Sequence, residues 1–250
     1  MTALLRAEGI SKSFGAVKAV DGVDLRVRPG EIVAVIGPNG AGKTTLFNAL
    51  SGFAPADSGT VVLDGHDITR APAHRIARLG LVRTFQAARP LRNATVLDNV
   101  LAGTYLHGRG GLWASLVPTP GVRRHENELL DRCRDTLAAG QLRLLEIARG
   151  LAAQPRALLL DEPAAGLNRV ETEGLERILR EIREAGTAVL LVEHDVDLVL
   201  RVSDHVTVLD FGRPLRQGSP EEVRHDPAVA AAYFGTKHLD AADAKQGGAK

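Results

Sequence analysis

The stretch Gly37-Pro38-Asn39-Gly40-Ala41-Gly42-Lys43-Thr44-Thr45 fits the phosphate-loop pattern GxxxxGK followed by Ser or Thr. The chemistry of that pattern is anion binding. Its glycines let the backbone turn N–H groups inward around a phosphate, in conformations that a Cβ would obstruct, and the helix that follows adds partial positive charge at its N-terminus. Lys43 is then expected to reach the β- and γ-phosphates of a nucleotide, and the Thr44 hydroxyl to ligate Mg2+.

Two further stretches end in residues with chemical capacity. Ala157-Leu158-Leu159-Leu160 runs directly into Asp161-Glu162, the pattern of a buried strand delivering carboxylates to its C-terminal edge, where ligands collect in open parallel sheets. Alone, it also fits a strand ending in solvated charge; beside a phosphate loop, metal and water chemistry is the stronger reading. Thr187 to Val192 repeats the device and ends in Glu193-His194-Asp195. A His at a strand end is commonly only a polar residue leaving the core, but this one falls on the same edge as Asp161 and Glu162.

These residues need a framework to hold them. Glu31 to Ile36 is a short apolar, β-branched run ahead of the loop, and Leu46 to Leu50 continues as an apolar helix after it, which is the setting the motif requires. From Leu4 to Gly37, turn signals at Asp21-Gly22 and Pro29-Gly30 separate β-type runs, and Gly59 to Leu63 turns at Asp64-Gly65, predicting antiparallel ribbons beside the loop. Leu79 to Gln86 reads as a strand ending in a polar Gln. Thr95 to Leu106 and Glu126 to Arg134 read as helices around the Gly/Pro-rich piece Gly108 to Gly121. Gly140 to Arg149 is strongly helical, with Leu144, Ile147, Ala148 and Leu151 on one face and a second potential anion site at its Gly-rich start. A helix from about Glu171 to Ala185, a strand at Val206 to Leu209 and a capping box at Ser219-Pro220-Glu221-Glu222 complete the pattern.

The fold class is therefore α/β: a phosphate-loop, RecA-like core with a mostly parallel sheet, an antiparallel β subdomain and an inserted helical subdomain. Residues 1–86 and 155–235 form the nucleotide-binding core with its antiparallel β subdomain, residues 87–154 the helical insertion, and residues 236–250 a flexible polar tail. Phe14 is notable in a chain with 4% aromatics. An aromatic there could stack on a base, worth about 1–3 kcal/mol, although core packing is the commoner fate of such a residue.

Composition narrows the function classes. Lys+Arg at 31 against Asp+Glu at 30 gives a net charge of +1, which offers no global electrostatic case for nucleic acid as a partner. The single Cys133 makes no internal disulfide, and no Cys/His cluster has zinc-like spacing. The N-terminal residues do not read as a secretion signal, and no segment approaches the roughly twenty apolar residues needed to span a bilayer. Any membrane role is expected to run through a partner.

Taken in order, these motifs resemble the ATP-binding subunit of an ABC (ATP-binding cassette) transporter, over about Leu4 to Gly235. Gly37 to Thr44 resembles the Walker A loop, Gln86 the Q-loop glutamine, and Leu137-Ala138-Ala139-Gly140-Gln141 a degenerate form of the signature LSGGQ. Ala157 to Glu162 resembles the Walker B strand, Ala165-Gly166-Leu167-Asn168 the D-loop, and His194 the switch histidine. The run from Glu162 to Asn168, Arg83-Thr84-Phe85-Gln86, the proline-containing Leu112 to Val122, and the C-terminal Pro-Glu-Glu-Val through Tyr233-Phe234-Gly235 are similar to the branched-chain amino-acid importer ATPases.

The resemblance implies a head-to-tail pair with a second cassette, identical or paralogous, each ATP lying between one Walker A loop and the other subunit's signature helix. Adenine would stack on Phe14. Thr44, Gln86 and, through water, Asp161 would organise Mg2+, Glu162 would polarise the attacking water, and His194 would contact the γ-phosphate. Two integral-membrane permease subunits, and indirectly an extracytoplasmic solute-binding protein, would be the partners. The cassette would lie peripherally on the cytoplasmic face of the membrane.

Three departures from the family pattern stand out. Ala138 replaces the usual signature Ser, removing a hydroxyl donor; a hydrogen bond to a charged group is worth about 1.5–3 kcal/mol. Asn168 stands where many D-loops have Asp. Only Arg134, Asp135 and Thr136 separate Cys133 from the signature, where the family places roughly four more helical turns' worth of chain. That shortening raises two alternatives to a coupled importer ATPase: a regulatory or poorly coupled cassette that binds ATP, and a soluble ABC ATPase outside transport.

Overall fold

In the computed structural model the described residues are 3–84, 96–103 and 139–234. β1 (Leu5–Phe14) and β2 (Val17–Val27) form a hairpin, and β4 (Ser58–Leu63) and β5 (His66–Asp67) complete an antiparallel sheet in the order β2-β1-β4-β5. The second sheet is built from β3 (Ile32–Ile36), β6 (Leu81–Arg83), β7 (Ala157–Asp161), β8 (Ala188–Val192), β9 (His205–Asp210) and β10 (Arg213–Gly218). Its order is β10-β9-β3-β8-β7-β6, parallel throughout except for β10 at the edge.

Alternation along the central strands explains how this sheet is covered on both faces. Val33, Val35, Leu159, Leu190 and Val192 enter one core with Leu46, Phe47 and Leu50 of α1 (Lys43–Leu50) and with the antiparallel sheet. Ile32, Ala34, Ile36, Leu158, Leu160, Val189 and Leu191 enter the other. That side is closed by α5 (Arg169–Glu184) through Leu175, Leu179 and Ile182, and by α6 (Val196–Val202) through Leu198, Val199 and Val202. Since successive side chains of a strand point to opposite faces, a sheet buried on both sides needs the continuous apolar runs seen here.

The other helices of the described residues are α2 (Ala73–Arg78), α3 (Val96–Gly103), α4 (Ala139–Ala152), α7 (Pro220–Arg224) and α8 (Pro227–Phe234). α3 and α4 pack closely enough that a Cβ on Gly103 would fall 2.0 Å from the Arg149 carbonyl oxygen. Ser219 caps α7 through the reciprocal bonds with Glu222 that the sequence predicts. Among the described residues, no helix is long and apolar enough to cross a membrane.

Several sequence expectations are corrected locally. Asp21-Gly22 does not end a strand; β2 runs through it, with Gly22 at φ 68 and its N–H donating to Ser11 Oγ where the β1–β2 register shifts. Leu79 and Gly80 close α2 rather than open a strand, so β6 begins only at Leu81. The Asp64-Gly65 turn holds: both residues take left-handed φ values, 49 and 78, as a two-residue hairpin turn requires. Phe14 is 57% exposed at the end of β1, so the core-packing reading of it fails. The expected helix at Glu126 to Arg134, the Gly108 to Gly121 piece, Cys133 and the tail lie outside the described residues.

Candidate functional site

β3, β8 and β7 lie side by side with Val35 opposite Val192 and Val192 opposite Asp161. The residues that follow therefore leave the sheet along one carboxyl edge. A cavity of about 210 Å3 opens there, lined by Ala19, the loop from Asn39 to Thr45, Glu162 and His194. Register alone accounts for the meeting of three segments so far apart in the chain.

The loop owes its shape to close backbone approaches. A Cβ on Gly37 would lie 2.2 Å from the Leu209 carbonyl oxygen, and one on Gly42, at φ 97, 2.1 Å from that of Ala19. Strands β9 and β2 thus press on the two ends of the loop and permit only glycine there. Lys43 is buried, and its Nζ donates to the carbonyl oxygens of Gly37 at 2.6 Å and Pro38 at 3.0 Å. Burial pushes this ammonium below its ordinary range, while the negative charges of Glu162 and Asp161 oppose that shift.

Asp161, the last residue of β7, is buried and held by Arg83 of the neighbouring strand β6: Nη2 donates to Oδ2 at 2.8 Å. The same guanidinium donates through Nη1 to Asn48 Oδ1 and Ser51 Oγ at the end of α1 and lies 5.6 Å from the rings of both Phe47 and Phe53. One side chain thereby joins the acid strand to the helix that begins at Lys43.

Glu162 leaves the strand at φ 50, held by its N–H bond to the Val192 carbonyl at 2.8 Å. His194 Nε2 lies 2.6 Å from Glu162 Oε1. A carboxylate only accepts hydrogen bonds, so Nε2 carries the proton in this contact. Behind the pair, the buried Glu193 accepts from the Ala164 N–H at 2.6 Å and the His194 N–H at 2.9 Å. Burial pushes the Glu193 carboxyl up and the nearby charge of Glu162 acts the same way, opposed by the N–H groups of Ala164, His194 and Asp195.

The structure thus brings together Asn39, Gly40, Ala41, Gly42, Lys43, Thr44, Thr45, Glu162 and His194. Gly37 and Pro38 meet the site through their carbonyls to Lys43, and Asp161 lies beneath it on Arg83. Phe14 does not line the cavity; Lys12 Nζ sits 5.8 Å from its ring centroid. Ala139, Gly140 and Gln141 open α4, while Gln86, Leu137 and Ala138 lie outside the described residues. Asn168 is the N-cap of α5, its Oδ1 accepting from the Glu171 N–H at 3.0 Å and Glu171 Oε2 accepting from its own N–H at 2.9 Å. Sequence reasoning missed the roles of Arg83 and Glu193. The available signal was a charge inside or next to an otherwise apolar strand, which needs a buried partner but does not say which.

Known proteins match this chain in sequence and in fold. The family model described as ABC transporter matches residues 20–165, and one described as branched-chain amino acid ATP-binding cassette transporter matches residues 217–238. The high-affinity branched-chain amino acid transport ATP-binding protein BraF of Pseudomonas aeruginosa is 43% identical over 249 aligned positions, covering 93% of this chain and 98% of BraF. LivG of Escherichia coli K12, of the same description, matches at 43% with the same coverage. In both alignments this chain contributes fewer residues than there are positions, so it carries gaps opposite its relatives. A solved ABC transporter cassette in its ADP conformation superposes with a TM-score of 0.79 at 34% identity, covering 94% of this chain and 100% of that one. With the loop, the acid-ended strand and the histidine converging on one cavity, the chain belongs to the ABC transporter family as an ATP-binding, ATP-hydrolysing cassette.

Proposed function

We propose that this chain energises the import of branched-chain or related amino acids, working head to tail with a second cassette, identical or paralogous, beneath two integral-membrane permease subunits. An extracytoplasmic solute-binding protein would feed the permease, and the cassette would sit peripherally on the cytoplasmic face of the membrane. The cargo reading rests on the names of the relatives and on the C-terminal match at residues 217–238. In this reading residues 87–154 are the helical insertion, whose Leu137 to Gln141 would complete the partner's ATP site while Gln86 follows the motion at its root.

The observation that carries the catalytic reading is the cavity where the phosphate loop faces Glu162 and His194. Phosphoryl transfer leaves the protein little covalent work, so positioning and charge stabilisation dominate. Backbone N–H groups from Gly40 to Lys43 and the Lys43 ammonium would hold the phosphates. Glu162 would orient and polarise the attacking water, and the His194 Nε2–H, keeping its proton, would exchange the Glu162 carboxylate for a γ-phosphate oxygen as its hydrogen-bond acceptor. Phe14, exposed at the end of β1, is available to stack on adenine.

The oxygen donors present suit Mg2+, which keeps several waters and takes few protein ligands. Thr44 offers a hydroxyl in the cavity, Asp161 retains Oδ1 beside the Oδ2 held by Arg83, and Gln86 is the third residue assigned. Held by these residues, Mg2+ would supply positive charge against the charge that develops on the phosphates.

The test is reconstitution with the membrane subunits in liposomes, measuring leucine uptake and ATP hydrolysis with and without Glu162→Gln. Hydrolysis should fall by about 100-fold or more with ATP binding retained, as for loss of a general base. Uptake confined to an unrelated solute would remove the amino-acid assignment. Hydrolysis unaffected by Glu162→Gln would remove the catalytic one. The relatives, described as transport ATP-binding proteins, favour the coupled importer over a regulatory cassette or a soluble ATPase.

A further inference from the structure

Glu193 is a buried carboxylate that the hydrolytic scheme does not use. It lies at the carboxyl end of β8, next to His194, and its two oxygens divide between two loops. Oε1 accepts from Ala164, two residues beyond Glu162, and Oε2 accepts from His194. The His194 side chain then returns to Glu162. The result is a closed circuit: Glu162, the backbone to Ala164, the Glu193 carboxylate, the backbone of His194, and the imidazole back to Glu162. The N–H of Glu162 on the Val192 carbonyl fixes the circuit to the sheet.

We infer that Glu193 is a positioning residue that sets the distance and orientation of the Glu162–His194 pair. The alternative is a buried acid that merely satisfies loop backbone. A carboxylate with only acceptor sites fits a point where N–H groups converge from two loops, and an amide would turn one donor against a donor. Both reacting-side residues hang on loops outside the strands, so the rigidity of their separation must come from such a tie. The inference rests on the reading of Glu162 and His194 as the hydrolytic pair.

The experiment is ATP hydrolysis by the full chain, measured as kcat and KM for the wild type, Glu193→Gln, His194→Ala and the double variant, alongside Glu162→Gln. Glu193→Gln should lower kcat about tenfold or more and leave KM for ATP within about threefold, because misplacement of catalytic groups affects the chemical step most. In the His194→Ala background the same change should cost less than about twofold, because the tie then has nothing to position. Additive losses in the double variant, equal effects on kcat and KM, or an unchanged kcat would each overturn the inference. If Glu193→Gln does not fold, Glu193→Asp replaces it. Asp keeps the charge but is a methylene too short to span both loops, and a loss confined to kcat supports the tie where an unchanged kcat overturns it. Full activity of Glu162→Gln and His194→Ala would instead sink the reading of the site itself, whatever Glu193 does.

Discussion

Arg83 and Asp161 form an ion pair at 2.8 Å with both side chains almost wholly buried, one on β6 and the other at the end of β7. The guanidinium also reaches Asn48 and Ser51, so the acid expected at the metal is anchored to the helix that follows the phosphate loop. Arg suits this place because its planar fork serves several acceptors at once and its face packs on the rings of Phe47 and Phe53.

Removing the arginine would take from the buried Asp161 the partner of its ion pair. Arg83→Met should lower unfolding free energy by about 3–5 kcal/mol in urea melts, the range for breaking a buried pair from one side. Arg83→Lys, with its charge kept and its fork lost, should cost about 1–3 kcal/mol. A Met variant as stable as the wild type would show that Asp161 does not depend on this partner.

Two glycines of the loop should respond differently to alanine. Gly42→Ala drives a Cβ into the Ala19 carbonyl, so binding of a fluorescent ATP analogue should be lost. Gly40 faces open space, and there Ala meets only the strain of φ 81, about 1–2 kcal/mol. Equal damage at the two positions would argue against backbone approach as the reason for glycine at 42.

Lys43 predicts an alkaline effect. Its folded pKa lies below the ordinary 10.5, so between those two values the folded chain binds fewer protons than the unfolded one. Stability contributed by this group therefore rises with pH across that window. Urea unfolding at a series of alkaline pH values should show a shallower rise in Lys43→Met than in the wild type; parallel profiles would contradict the shift.

The asparagine in the D-loop should prove locally neutral. Asn168 caps α5 with both halves of a capping box in place, and Asp would cap equally well. Asn168→Asp is expected within about 0.5 kcal/mol of wild type and Asn168→Ala to cost about 1 kcal/mol, read as shifts in thermal midpoint. A large loss on Asn168→Asp would mean that the amide nitrogen has work of its own.

Much of the architecture was legible in order and pattern. The apolar runs at β3, β7 and β8 marked buried parallel strands because side chains facing two cores must be apolar at every step. The phosphate loop, Glu162 and His194 were recognisable because their chemistry requires those residue types at strand ends. Asp21-Gly22 misled because a glycine with positive φ serves a bulge as well as a turn, and only cross-strand pairing decides which. Phe14 misled, read on its own, because an aromatic in a β ribbon carries no local sign of which face is covered.

The sequence by itself determined which residues have the chemistry expected of phosphate binding and water activation, since that depends on side-chain type and local backbone freedom. Only the tertiary structure decided how they are held. Register across β3, β8 and β7 put the loop, the acids and the histidine on one edge. Contacts between segments distant in the chain then paired Arg83 with Asp161 and set Glu193 between the two loops. A buried charge declares in sequence that it needs a partner, but the partner is chosen by packing, which brings together residues that no local pattern connects.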